Sequence, residues 1–193
     1  MSPSLDDVSW PVRTSRLTLR RSTPQDADAT WSYRRDPGVA EWMTRLPASR
    51  EEYDEWYVSP AVHATRVVVE HEGTVVGELH LEVKSGWAQA EVSELAAGTE
   101  AEIGYVLDPA HQGQGFGTEA VAGLLTICFD QLGVRRVTAG CFSANESSWR
   151  LMERLGMRRE SHTLRDGLHR MHGWLDGYQY ALLVDEWRAR DRE

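Results

Sequence analysis

The sequence predicts an α+β fold in a single domain. Three observations carry that expectation: short runs of alternating apolar and polar residues, a switch to helical periodicity from Gly117, and no linker between two composition regimes. At 193 residues the chain can bury roughly 70% of its unfolded surface, which supplies one core without staples.

Met1 to Val12 reads as a flexible N-terminal tail, and residues 13–193 as the domain. Leu17-Thr18-Leu19-Arg20 alternates as a short strand. Thr23-Pro24-Gln25-Asp26 opens a helix, with Thr23 as cap and Pro24 at the first helical position, where no N–H is needed. That helix runs to about Tyr33 and stops before Asp36-Pro37-Gly38. A second helix covers Arg50 to Tyr57. Valine-rich Thr65–His71 and then Val75–Lys84 form strands around a turn at Glu72-Gly73. In the second, Leu79, Leu81 and Val83 alternate with Glu78, His80 and Glu82, which suits one wetter face. Ser85–Thr99 is a long connection, and Ala101–Leu107 is a strand stopped by Asp108-Pro109. From Gly117 onward, Ala120, Val121, Leu124, Leu125, Cys128 and Leu132 line one helical face, and Gly133 ends it. Arg136–Phe142 is a strand, and Asn145 caps a helix reaching Leu155. Strands at Met157–Leu164 and Tyr178–Leu183 and a short helix around Glu186 complete the order.

The composition narrows the function. A net charge of −9 argues against nucleic acid or an anionic membrane as main partner. No run of about 18 apolar residues is present, so no spanning helix is expected. Cys128 and Cys141 cannot form a metal-ligand set alone; with no leader segment evident, they read as reduced thiols in a cytoplasmic protein without a metal. Lys84 is the only lysine. That excludes a GK[ST] phosphate loop and any Schiff-base enzyme not built on Lys84.

The segment from Ala101 to Glu119 carries the chemistry. Gly113, Gly115 and Gly117 directly precede a strong helix, so backbone N–H groups can converge on an anion beside the helix's positive end. This is a phosphate cradle that needs no lysine; the plain alternative is a glycine-rich turn without a ligand. A dinucleotide loop fits poorly. It needs G-x-G-x-x-G at the strand end and an acidic residue ending the next strand. Here residue 118 is Thr, Asp108 to Gln112 intervene, and the next strand ends at Cys141-Phe142.

Gln112-Gly113-Gln114-Gly115-Phe116-Gly117 resembles the Q/R-x-x-G-x-G/A signature of the GCN5-related N-acetyltransferases (GNAT). The similarity extends over about Arg13 to Trp187. Thr14-Ser15-Arg16-Leu17-Thr18-Leu19-Arg20, Ala101-Glu102-Ile103-Gly104-Tyr105, Asn145-Glu146-Ser147-Ser148 and Tyr180-Ala181-Leu182-Leu183 with Glu186-Trp187 look like its RimJ/RimL-type branch, which acetylates ribosomal-protein N-termini among other acceptors. The resemblance implies a mixed, mostly antiparallel sheet of seven strands, splayed where acetyl-CoA lies and flanked by helices.

Carried over by residue, Tyr105, Val106 and Leu107 would pair with the pantetheine arm, and a Leu107 amide would polarise the thioester carbonyl. The backbone of Gly113, Gln114, Gly115, Phe116, Gly117 and Thr118 would hold the pyrophosphate, helped by Gln112. Asn145 would touch the pantetheine, beside its plain role as a helix cap. Many members carry a tyrosine seven residues after that asparagine to protonate the leaving thiolate. Here the position is Met152, which has no proton to give. Ser148 is the replacement we favour, with water or Tyr105 as alternatives. Glu102 matches a strand glutamate that serves as general base, and otherwise it is a surface carboxylate; His80 is the second choice. The acceptor pocket is expected between the first two helices and a turn near Asp166-Gly167, with Trp31, Tyr33, Trp42, Trp56, Tyr57 and Trp174 close by. Asp166, His169 and His172 lie in that wall without an assigned role. The implied partners are acetyl-CoA and an amine, from a peptide N-terminus or a small molecule, and a homodimer stays open. So do two variants: another donor such as succinyl-CoA, and a CoA-binding module without catalysis.

Overall fold

A computed structural model describes residues 2–190. Among these residues, eight strands form one sheet: β1 (Val12–Arg13), β2 (Leu17–Arg21), β3 (Arg66–His71), β4 (Thr74–Lys84), β5 (Glu100–Leu107), β6 (Arg136–Phe142), β7 (Arg158–His169) and β8 (Gly173–Leu183). Their spatial order is β1-β2-β3-β4-β5-β6-β8-β7, and every pairing is antiparallel except β5 with β6. The helices are α1 (Ala27–Arg34), α2 (Pro37–Ala40), α3 (Arg50–Tyr57), α4 (Pro60–His63), α5 (Phe116–Thr126), α6 (Glu146–Arg154) and α7 (Val184–Arg190). α5 ends in a π turn, Ile127–Gln131.

The expected sheet of seven strands gains an eighth, because the segment expected to be a loose tail is docked. Val12 and Arg13 pair with Leu19 and Thr18. Leu5 and Val8 are buried in the main core, and the Trp10 indole N–H donates to the Leu5 carbonyl at 2.7 Å. Ser4 and Asp7 close a capping box over the short turn Leu5–Asp7. The apolar residues of this segment are few and scattered, so it is their burial that reveals the element.

The main core lies between the sheet and α5–α6. Leu19, Val67, Val69, Leu79, Leu81, Ala101 and Ile103 face it, and α5 presents Phe116, Ala120, Val121, Leu124 and Leu125. A smaller cluster of Ala27, Tyr53 and Tyr57, with Trp31 and Trp56 against it, sits under α1 and α3. It covers the face expected to be wet, and there the reading needs correction. Glu78 is only 2% exposed. Arg34 of α1 and Arg66 of β3 both ion-pair with it, and the Tyr33 hydroxyl donates to it at 3.1 Å. Alternation placed Glu78 on the correct face; the helices laid over that face make it dry. Burial alone would hold its carboxyl protonated, but the two guanidinium charges override this and lower its pKa.

The last two strands are longer than expected and meet at residues 170–172. Asp166-Gly167 is therefore no turn. It falls in β7, at a register shift between Thr163 and Gly167, where Asp176 of β8 accepts from the Arg165 amide at 3.0 Å and bonds His162 at 2.9 Å.

Candidate active site

The parallel ladder between β5 and β6 is short. Glu100, Ala101 and Glu102 pair with Arg136, Val137 and Thr138, and then the strands separate. β5 stays paired to β4 as far as Leu107, while β6 stays paired to β8 as far as Phe142. Residues 103–107 therefore present half their backbone polar groups to a gap rather than to a strand. Tyr105, Val106 and Leu107 line it and are half-buried.

The glycine loop lies at one end of this gap. Gly113 and Gly115 adopt φ of +76° and +81°, a left-handed conformation that disfavours any Cβ. Gly115 is the N-cap of α5, so Phe116, Gly117 and Thr118 form its first turn. Among the described residues, no acceptor within the chain receives the N–H groups of 113–118. A Cβ on Gly113 would meet nothing within 4 Å, so the space above the loop is open. Unpaired donors thus stand at the positive end of a helix, the arrangement an anion cradle requires. Gly117 plays a different part. A Cβ there would stand 3.1 Å from Leu151 and 3.5 Å from Leu107, so its smallness seats α5 against α6 and β5. Gln112 and Gln114 are exposed on the loop.

Arg16 fixes the loop, and sequence reasoning assigned it no role. Its guanidinium donates to the Gln114 carbonyl at 3.0 Å, ion-pairs with Glu119 of α5 at 2.7 Å and lies over the Phe116 ring. Thr14 and the Arg16 amide also donate to Glu119, at 2.5 and 2.7 Å. The Thr14-Ser15-Arg16 run was visible in the sequence. Its partner lies 103 positions away, so nothing local marks the contact.

At the other side of the gap stands the start of α6. Asn145 caps it, its side chain accepting from the Ser148 amide at 3.2 Å and the Ser147 hydroxyl at 2.9 Å. Its carbonyl oxygen is thereby committed, while its NH₂ group bonds nothing among the described residues. The Tyr105 hydroxyl donates to the Ser148 carbonyl at 2.9 Å and lies 3.0 Å from the Ser148 hydroxyl. Burial raises the Tyr105 pKa far above its ordinary range, so the phenol keeps its proton. The Cys141 thiol neighbours the same hydroxyl, and burial raises its pKa as well. Met152, one helical turn beyond Ser148, is fully buried in the core.

Glu102 sits at the last paired position before the strands part. It is half-exposed and ion-paired with Lys84 at 2.6 Å, and Lys84 also reaches Glu82 at 3.3 Å. His80 stands on the same face, opposite Gly104, and burial lowers its pKa, which keeps the imidazole neutral. In the region expected to take the acceptor, the β7–β8 turn is tied to residues 40–43. Arg170 donates to the Ala40 and Met43 carbonyls at 2.6 and 2.5 Å. His169 Nδ1 accepts two backbone N–H groups, from Met171 and His172, so Nε2 is the donor to the Glu41 carbonyl at 2.8 Å. Trp42 packs on His169 and Phe142 there. Trp31, Trp56 and Tyr57 instead pack around Tyr53, and Trp174 is exposed. Among the described residues no cluster of His, Cys, Asp or Glu could hold a metal, and no helix is long and apolar enough to cross a membrane.

A splayed parallel pair flanked by helices is the fold that the sequence resemblance implied. The profile of the acetyltransferase (GNAT) domain matches residues 16–158. The chain belongs to the GNAT family. This GNAT protein is 29% identical to p20 of Bacillus licheniformis, named an uncharacterized N-acetyltransferase, over 90% of this chain and 96% of that one. A putative ribosomal N-acetyltransferase, YdaF of Bacillus subtilis, is 36% identical over 47% of this chain and 49% of its own. The chain thus spans about half the length of some curated relatives it matches. A GNAT-family acetyltransferase from Bacillus anthracis has the same fold, with a TM-score of 0.77 at 26% identity, covering 91% of this chain and 99% of that one. The protein is an N-acetyltransferase with an α+β GNAT fold.

Proposed function

We propose that this N-acetyltransferase moves an acetyl group from acetyl-CoA to a primary amine by direct attack in a ternary complex, in the cytoplasm. The observation that carries the reading is the row of unpaired N–H groups at 113–118, opening on the gap between β5 and β6. These donors suit a pyrophosphate, with Gln112 and Thr118 at its rim. The open edge of Tyr105, Val106 and Leu107 suits the pantetheine amides as an added strand, and the free NH₂ group of Asn145 suits their carbonyls. A backbone amide near Leu107 is the oxyanion donor.

Ser148 donates a proton to the departing thiolate, and Tyr105 stands behind it as a protonated hydrogen-bond partner. This answers the absence of a proton donor at Met152. Glu102 takes the amine's proton, through water, because an amine near neutral pH is mostly ammonium. A second base is supported by one observation: His80 is held neutral by burial on the same face, while Glu102 is partly neutralised by Lys84. The acceptor is a protein N-terminus or a small amine; the RimJ/RimL-like motifs and the ribosomal name of YdaF favour the former.

Release of free thiol from acetyl-CoA, measured over a panel of peptides and small amines, tests this reading. Amine-dependent release is expected. Release only from succinyl-CoA would move the donor, and CoA binding without release from any thioester would leave a binding module.

A further inference from the structure

A cavity of about 500 Å³ lies between α1, α2 and the segment leading to α3. Four of its lining residues are arginines, Arg34, Arg35, Arg45 and Arg50, and no carboxylate lines it. The chain as a whole carries −9, so this concentration of positive charge runs against the surface around it. Two of the four are satisfied: Arg45 pairs with Glu52 at 2.8 Å, and Arg50 with Asp28 and Asp54 at 2.5 and 2.8 Å. The other two leave charge uncompensated. Arg34 shares the single buried carboxylate of Glu78 with Arg66. Arg35 has no ion pair or side-chain hydrogen bond among the described residues, and its guanidinium lies over the Trp31 ring, 5.5 Å from the centroid. A guanidinium stacked on an indole keeps its N–H edge free and oriented, the geometry that grips a carboxylate with two parallel hydrogen bonds. Nearby acids are engaged elsewhere: Asp36 accepts from the Gly38 amide, and Glu41 from His172.

The remaining lining is apolar, with Trp31, Met43, Leu46 and Pro47. The cavity also adjoins the candidate active site. Ala40 and Met43, which line it, flank Trp42, whose ring faces Phe142 at the end of β6. Arg34 reaches Glu78, the register partner of Val106 on the open strand.

We propose that this cavity is the recognition subsite for the acceptor, and that it binds a carboxylate carried on an apolar or aromatic body. The proposal rests on the acetyl-transfer reading and narrows its acceptor to amines that also bear a carboxylate. A polycationic amine is the wrong charge for these walls.

The test separates binding from turnover. Calorimetry compares 3-phenylpropionate with its neutral amide, 3-phenylpropanamide, on wild type and on Arg35→Gln, an exposed position whose change spares the fold. The acid should bind about tenfold more tightly than the amide, and Arg35→Gln should remove that difference. In thiol-release assays phenylalanine should show a KM about tenfold below that of 2-phenylethylamine, with the preference lost in the variant. Equal binding of acid and amide, or a preference untouched by Arg35→Gln, would overturn the proposal. Arg35-dependent binding of the acid, with no thiol released for any amine, would uphold the carboxylate pocket and overturn the transfer reading instead.

Discussion

Ser148 and Tyr105 form the most specific side-chain pair at the gap: burial keeps the phenol protonated, and its oxygen lies 3.0 Å from the serine hydroxyl. Ser148→Ala should lower the chemical step by about 10²–10⁴-fold and leave acetyl-CoA affinity nearly unchanged, since protonation matters only as the C–S bond breaks. Single-turnover kinetics beside a binding titration would check this, and unchanged single-turnover chemistry would remove Ser148 from the mechanism. Glu102 calls for a pH profile. If it takes the amine's proton, Glu102→Gln should depress the rate most at low pH and recover toward the amine's own pKa, where free amine is abundant. A deficit independent of pH, with a lowered Tm, would mark Glu102 as structural. A wild-type profile across about pH 6 to 10 would pass the role to His80.

At the scale of elements, the cradle depends on a loop conformation as much as on its donors. Gly115→Val places a branched side chain at φ +81° beside the proposed phosphate path and should abolish CoA binding in calorimetry, with a strain of about 1–2 kcal/mol on stability. Undiminished affinity would sink the cradle. Much of this element was legible. The glycine spacing, the helix from Gly117 onward, and the strands Ala101–Leu107 and Arg136–Phe142 follow from periodicity and turn chemistry, which are local signals, and each lies within a residue of the observed element. What escaped the sequence rests on distant partners. Arg16 clamping Gln114, Tyr105 reaching Ser148, and Arg170 gripping Ala40 and Met43 join residues 43 to 130 positions apart. Gly117 was read as part of the cradle from spacing alone; its contact with Leu151 adds a packing role that spacing cannot express.

On the scale of the whole molecule, ion pairs bind the sheet to its helices, and their titration sets its acid response. The Arg136 hydrogen bond, joined by Arg158, pulls Glu160 down to about 2. Asp26 and Glu119 are also lowered, as Arg20 and Thr14 with Arg16 outweigh burial, and Glu78 follows under Arg34 and Arg66. Each folded pKa lies below its unfolded value, so the unfolded chain binds more protons as acid is added, and stability falls with pH. His80, lowered by burial, acts in the same direction from about pH 6.5. The Tm should therefore decline gently below about pH 6.5 and steeply from about pH 4.5 toward 2, as scanning calorimetry would record; a Tm unchanged at about pH 3 would contradict it. The fold class and the order of the elements were readable, whereas the docked N-terminus and the dry face around Glu78 were not, because both depend on what is laid over them. The central claim is that the gap between β5 and β6 delivers an acetyl group to an amine. Mass spectrometry of the amine after incubation with acetyl-CoA tests it most directly, with released thiol counted in the same sample. The account predicts one N-acetylated product per thiol released, and neither with Gly115→Val. Thiol without acetylated amine, or product undiminished in that variant, would contradict it.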